Sequence, residues 1–347
     1  MVRVGVIGAS GYTGVELLRL LSAHPDVELA IATADSNAGT MAAHLAPSLS
    51  AAFPQLEFQP FEIEAIRKER LDLVFLGLPH QAALAVVPEL VDHVGCVVDL
   101  SAAFRLQDVT AYPRWYGFTH DQPELLRRAV YGLPERTRTN LPGARLVATP
   151  GCYVTAATLA LAPLLDAELI ERAGIIVDAA SGVSGAGRTL THGTAFCAVD
   201  ENFAAYGLLD HRHTPEIEQN LSAADEAASV LFTPHLAPMS RGILATCYAR
   251  PRDHAELTTG RLLEELTKAY RDEPFVVVTA ESPSTKAAQG SNVAFLTARF
   301  DPRTGTAVVL CALDNLTKGA SGGAVQAANV ALGLDETAGL PSVGLAP

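Results

Sequence analysis

Hydrophobic and polar positions fall into two regimes along the chain. Up to about residue 150, short continuous apolar runs alternate with segments whose apolar residues recur at helical spacing. Val2-Arg3-Val4-Gly5-Val6-Ile7 precedes Val15, Leu17, Leu18, Leu20 and Leu21, and Glu28-Leu29-Ala30-Ile31-Ala32-Thr33 follows. Residues 71–76 and 95–100 read as two further buried strands, with a helical pattern over 81–91 between them. Strand alternating with helix predicts a parallel sheet covered on both faces. An apolar run at 145–148 is followed by an Ala/Leu-rich helix from Cys152 to about Leu165. Strand-like runs then follow at 175–179, 229–233, 243–250, 275–279, 293–300 and 306–313, with one helical pattern over 258–270. That order predicts an α+β unit with a mixed, largely antiparallel sheet. Residues 112–140, rich in Pro, Tyr, Trp and Arg, show no period and read as long connections.

The first strand runs into Gly8-Ala9-Ser10-Gly11-Tyr12-Thr13-Gly14 and then into the first helical pattern. Glycines three apart let a backbone approach a pyrophosphate, and the helix start supplies N–H donors, so strand, glycine turn and helix together predict dinucleotide binding. The fold class is therefore an α/β Rossmann dinucleotide-binding domain over 1–150 plus an α+β substrate and dimerisation domain over 151–315. The small-residue stretch from Asp314 predicts a C-terminal helix over 316–347 that returns to complete the first domain. After the second strand, Asp35 suits a ribose 2′-hydroxyl, whereas Ser36 and Asn37 suit a 2′-phosphate, which leaves NAD and NADP both open.

Composition narrows the classes. Twenty-five basic against 38 acidic residues give a net charge of −13, which argues against nucleic acid and anionic membrane as partners. Cysteines at 96, 152, 197, 247 and 311 show neither metal-ligand nor disulfide spacing, and no apolar run reaches spanning length. The expected protein is soluble and cytoplasmic, with no charged leader before Val2.

The chemistry centres on Thr149-Pro150-Gly151-Cys152-Tyr153-Val154-Thr155, read as strand, tight turn and helix start. A thiol in the first turn of a helix meets unpaired N–H groups and the positive end of the dipole, which favour a thiolate. The same groups can hold an oxyanion. The alternative is a small buried residue packing helix onto sheet. His211-Arg212-His213-Thr214-Pro215-Glu216 places two histidines before a helix start, with Thr214 as N-cap and Pro215 first in the helix. A histidine acid/base serving a cysteine fits better than a metal site, for which a third ligand is missing, and His213 is preferred. Residues 181–188, with Ser181, Gly182, Ser184, Gly185 and Arg188, have the composition of an anion nest or of a plain surface loop. Arg105, soon after the strand at 95–100, and Arg241, in a Pro-punctuated loop, are candidate anion clamps. Pro79 and His80 fall at a strand end, and His80 reads as a loop residue without a catalytic task.

Taken together, these blocks resemble the N-acetyl-gamma-glutamyl-phosphate reductase family along nearly the whole chain. The turn at 8–17, Tyr131-Gly132-Leu133-Pro134-Glu135, Pro150-Gly151-Cys152-Tyr153 with Thr155, the 181–188 loop, residues 211–217 and Lys318-Gly319-Ala320 carry the resemblance. It implies NADPH-dependent reduction of an acyl phosphate through a Cys152 thioester, with His213 or His211 moving protons. It implies NADP contacts from Gly8, Ser10, Gly11, Tyr12, Thr13, Gly14, Ser36, Pro79, Ser181, Gly182, Ser184, Gly185 and Asn315. By chemistry and neighbourhood, Arg105, Ser184, Arg188 and Arg241, with Glu216 beside them, are assigned to the substrate. Self-association as a dimer or tetramer is expected. Reduction of carrier-bound aminoadipyl phosphate or of aspartyl phosphate is the nearest alternative, and a dinucleotide sensor without chemistry the more distant one.

Overall fold

The computed structural model describes residues 1–253 and 257–345. The chain divides into two compact units, one of residues 1–150 with 320–340 and the other of residues 151–319 with 341–347.

The first unit is built on strands β1 (Val2–Ile7), β2 (Val27–Thr33), β3 (Leu73–Leu76), β4 (Cys96–Asp99), β5 (Val130–Tyr131) and β6 (Leu146–Ala148), in the order β2-β1-β3-β4-β6-β5. Every pairing is parallel. Leu73 and Phe75 point into one apolar cluster, while Val74 and Leu76 point into the other. Burial on both faces is why these strands read as unbroken apolar runs. Helix α1 (Tyr12–Leu21) follows β1, and α2 (His80–Leu90) joins β3 to β4. Neighbours β2 and β3 lie on opposite sides of β1, so the turn after β1 opens at the point where strand order reverses.

Residues 112–140 are more ordered than their sequence suggests, forming short helices at Ala111–Tyr116, Pro123–Arg128 and Pro134–Thr137 and the edge strand β5. Each helix is too short to display a 3.6-residue period, which hid them.

The second unit begins with helix α3 (Cys152–Asp166), followed by β7 (Ile175–Gly182), β8 (Ala204–Ala205), α4 (Thr214–Leu221), β9 (Val230–Ala237), β10 (Ile243–Ala249), α5 (Thr259–Ala269), β11 (Val276–Val278), β12 (Ala294–Asp301) and β13 (Thr306–Leu313). The sheet order is β11-β12-β13-β10-β7-β9-β8. The β7–β9 and β11–β12 pairings are parallel and the others antiparallel. Along β10, Ile243, Ala245, Cys247 and Ala249 are buried while the residues between them are half-buried, the alternation of a sheet with one covered face. Helix α3 lies against β10 and β13 and supplies that cover.

The tail corrects the expected helix over 316–347. Residues Thr317–Ser321 form a π-helical turn, and α6 (Gly322–Leu332) ends where Gly333 turns left-handed at φ 70°. Residues 334–345 contain no helix, and 346–347 lie outside the described residues. Small residues permitted the wider π turn, and a C-terminal glycine stopped what followed.

Candidate active site

Helix α3 starts at Cys152, with Gly151 as an extended N-cap that offers no side chain. The backbone N–H groups of the first turn have no intrahelical acceptor. The N–H of Gly151 itself is given to Oε1 of Glu216 at 3.1 Å. A Cβ at Gly151 would lie 2.3 Å from Nε2 of His213, so the imidazole occupies the space a side chain would need. A Cβ at Gly319 would come within 2.8 Å of the Cβ of Cys152, so the π-helical turn also approaches closely because it carries glycine there.

Cys152 opens on a cavity of about 370 Å³ that it shares with His211, Arg212, His213, Tyr206 and Ser181. Gly182 and Gly185 belong to the same wall. Both histidines are thus brought to the cavity of the cysteine. His211 accepts the backbone N–H of His213 on Nδ1 at 3.1 Å, which leaves Nε2 to carry the proton of the neutral ring. Burial first, and the Arg212 guanidinium second, hold His211 down at about 4. Its ring meets that of His213 edge-on, with centroids 4.8 Å apart. His213 rather than Thr214 is the cap of α4, and Pro215 is second in the helix rather than first.

Two tyrosines complete the wall. Tyr153 donates its hydroxyl proton to the carbonyl of His235 at 3.2 Å, and its oxygen lies 3.1 Å from that of Tyr206. Burial raises both phenols, Tyr206 to about 12, so they remain neutral donors across the physiological range. Tyr206 leaves no signal in the sequence, because β8 before it is a two-residue edge strand, too short to show a pattern. Arg212, between the histidines, lines the same cavity.

Three expected ligand groups have other partners. Glu216, assigned to the substrate, is fully buried and bonded to Gly151. The fork of Arg241 is engaged by Asp314, with Nε 2.9 Å from Oδ2 and Nη2 3.0 Å from Oδ1, and also reaches Thr317. A guanidinium fitted to a buried carboxylate ties the two loops together. Asn315 accepts from the N–H of Gly242 at 2.7 Å and donates to Ser184 Oγ at 3.0 Å, so it braces the loop. The first half of the 181–188 segment is bonded into the sheet and the 239–242 loop, while Gly185 and Ala186 line the Cys152 cavity. Strand β7 runs through Gly182, and the N–H groups of Gly182, Val183 and Ser184 donate to Gly242, Met239 and Ser240. Arg188 stands half-buried beyond Ala186, outside the described lining of the Cys152 cavity.

In the first unit, Gly8 adopts φ 82°, and its N–H and that of Ala9 both donate to the carbonyl of Thr33, which pins the turn across the ends of β1 and β2. A Cβ at Gly14 would lie 2.5 Å from the Gly8 carbonyl oxygen and the Ala9 α-carbon, whereas above Gly11 the nearest atom is 3.6 Å away. Tight packing below and open space above fit a pyrophosphate seated on the start of α1, whose first residues are Tyr12 and Thr13. Asn37 donates to Ser36 Oγ at 3.1 Å and to Ser10 Oγ at 3.2 Å, while Asp35 accepts from Phe61 N–H. Hydroxyls and an amide therefore gather beside the turn, which fits the 2′-phosphate of NADP.

At the end of β4, Asp99 accepts from both the N–H and the hydroxyl of Ser101 at 2.8 Å, and Arg105 donates to the Leu100 carbonyl at 2.8 Å. Burial pushes Asp99 up to about 6 against those bonds and the charge of Arg105. His80, just after Pro79 at the start of α2, accepts from Ala102 N–H at 3.0 Å and so shapes the same edge.

Residues 3–144 match the family described as semialdehyde dehydrogenase, NAD binding domain, and residues 152–315 match semialdehyde dehydrogenase, dimerisation domain. Fold and matches define the two-domain architecture of the semialdehyde dehydrogenases. Solved structures of the same fold include aspartate semialdehyde dehydrogenase II of Vibrio cholerae, at TM-score 0.72 and 17% identity over 95% of this chain and 98% of that one. Another is the enzyme of Candida albicans with NADP, at TM-score 0.69 and 17% identity over 95% and 98%. N-acetyl-gamma-glutamyl-phosphate reductases of Symbiobacterium thermophilum and Geobacter sulfurreducens are each 48% identical to this chain, the first over 99% of it and 98% of the relative, the second over the full length of both. The chain belongs to the N-acetyl-gamma-glutamyl-phosphate reductase family.

Proposed function

We propose that this protein reduces N-acetyl-L-glutamyl 5-phosphate to N-acetyl-L-glutamate 5-semialdehyde and phosphate with NADPH, a step of arginine biosynthesis, through a thioester on Cys152. The observation that carries the reading is the shared cavity of Cys152 and His213, with Gly151 leaving room for the imidazole at the start of the cysteine's own helix.

In this mechanism His213 takes the thiol proton as Cys152 attacks the acyl carbon. A C–S bond forms, the C–O bond to phosphate breaks, and His213 returns its proton to the leaving group. The first-turn N–H groups of α3 stabilise the developing oxyanion, and the phenol of Tyr206 is a further donor on the same wall. NADPH, when bound, supplies the hydride that takes the acyl carbon to the aldehyde level. The C–S bond then breaks and the thiolate is restored. Within the first unit, Gly8, Ser10, Gly11, Tyr12, Thr13, Gly14, Ser36 and Pro79 are the residues proposed to hold the cofactor, and Arg105 the substrate's anionic end.

The protein is further proposed to work in the cytoplasm as a dimer or tetramer. Among the described residues no helix is long and apolar enough to cross a membrane. Support for self-association comes from the family description of residues 152–315 and from apolar side chains left in solvent, Leu190 at 77%, Phe196 at 74% and Leu231 at 48% exposure.

The test is the reverse reaction, with purified protein, NADP, inorganic phosphate and N-acetyl-glutamate semialdehyde. Cys152→Ser is expected to lose roughly a thousandfold or more in kcat. Unchanged turnover would remove the thioester mechanism, and faster turnover of aspartate semialdehyde would change the substrate.

A further inference from the structure

Glu216 has no place in the chemistry just described, yet it is completely buried within the second unit. A buried carboxyl needs partners, and this one has the N–H of Gly151, the residue that starts the helix of Cys152. Glu216 also stands in the first turn of α4, three residues after the His213 that caps it. Helices α3 and α4 pack against each other. Their positive ends therefore share one carboxyl group, and those ends carry the cysteine and the histidine. The imidazole of His213 lies directly on the α-carbon that Glu216 holds.

We infer that Glu216 is the positioning residue of the Cys152–His213 pair, fixing the two helix starts against each other and moderating the positive field at the sulfur. The inference rests on the roles proposed above for Cys152 and His213. The bond to Gly151 sets the register of α3 against α4, so lengthening it moves sulfur and imidazole apart. Its negative charge opposes thiolate formation and favours the imidazolium, which keeps the proton on the histidine ready for the leaving phosphate. The other polar groups that face the pair include Tyr153 on α3, Ser181 on β7, His211 and Arg212 before α4, Tyr206 after β8, and the His235 carbonyl on β9. All of them stay in place in the experiment.

The full-length protein, Glu216→Gln and Glu216→Asp are compared by the pH dependence of Cys152 alkylation with iodoacetamide, read by mass, and of kcat. Glutamine keeps the shape and the acceptor for Gly151 N–H but drops the charge. Its alkylation midpoint and both limbs of the kcat profile are expected to move to lower pH by roughly half a unit or more. Its kcat should fall about tenfold while KM changes less than about twofold. Aspartate keeps the charge but falls short of Gly151, so its kcat should fall with the alkylation midpoint within about 0.2 unit of wild type. An unmoved alkylation profile in Glu216→Gln overturns the inference. So does a glutamine variant that fails to fold, because the residue would then be a structural prop. Alkylation does not require turnover, so the two readings fail separately. An active Cys152→Ser removes the mechanism, whereas an inactive Cys152→Ser with an unmoved Glu216→Gln profile removes only the role of Glu216.

Discussion

His211 and His213 are two residues apart, yet their surroundings differ, and the proposed mechanism gives them different work. His211 spends Nδ1 on the backbone N–H of His213, and its suppressed basicity keeps it neutral at working pH. His213 lies against Gly151 and lines the same cavity as Cys152. His213→Asn should therefore cost about a hundredfold or more in kcat, whereas His211→Asn, whose amide oxygen can accept the same N–H, should cost less than about tenfold. Equal losses in a steady-state assay would refute the division of roles. The pH dependence has a definite sign. The unfolded chain protonates His211 near the ordinary value of 6.5, but the folded chain only near 4. Between those values the unfolded state binds more protons, so stability falls as pH drops through this window. In denaturant titrations from pH 7 to pH 4, His211→Asn should lose part of that decline.

At the scale of an element, the first turn of the first unit is held by contacts that leave no room for change. At Gly14 any side chain would meet backbone atoms of Gly8 and Ala9 at 2.5 Å, and backbone cannot rotate aside as a side chain can. Gly14→Ala is expected to raise the KM for NADPH about tenfold or more, while Cys152, in the other unit, keeps its rate of alkylation. Fluorescence titration with NADPH checks the first outcome and iodoacetamide labelling the second. A variant with normal affinity for NADPH would detach the glycine turn from the cofactor.

For the molecule as a whole, the second unit's sheet is the feature that calls for a partner. Its buried positions face α3, while Ile176 and Leu231, on adjacent strands, remain 37% and 48% exposed. Such a face is stable in water when a second copy covers it. Sedimentation should find a dimer or tetramer, and Leu231→Asp should shift the distribution toward the monomer at micromolar concentration. A monomeric wild type would refute the arrangement.

What the sequence determined by itself was everything carried by short-range pattern. The unbroken apolar runs marked a two-face-buried parallel sheet, the glycine spacing marked the turn after β1, and Pro150-Gly151-Cys152 marked a thiol at a helix start. These signals are local because strand period, turn geometry and helix capping are local. The tertiary structure decided which polar groups are available. Arg241, Asn315 and Glu216 carry the right chemistry for ligands, and the fold shows them bonded to Asp314, Gly242 and Gly151, each distant in sequence or in another element. Tyr206 reached the cavity only through a two-residue edge strand, and the preference for His213, drawn in the sequence from its place before a helix start, gains from the fold a ring packed on Gly151 and a His211 nitrogen bonded to backbone. Sequence states what a side chain can bind, and only the fold shows what it is already bonded to.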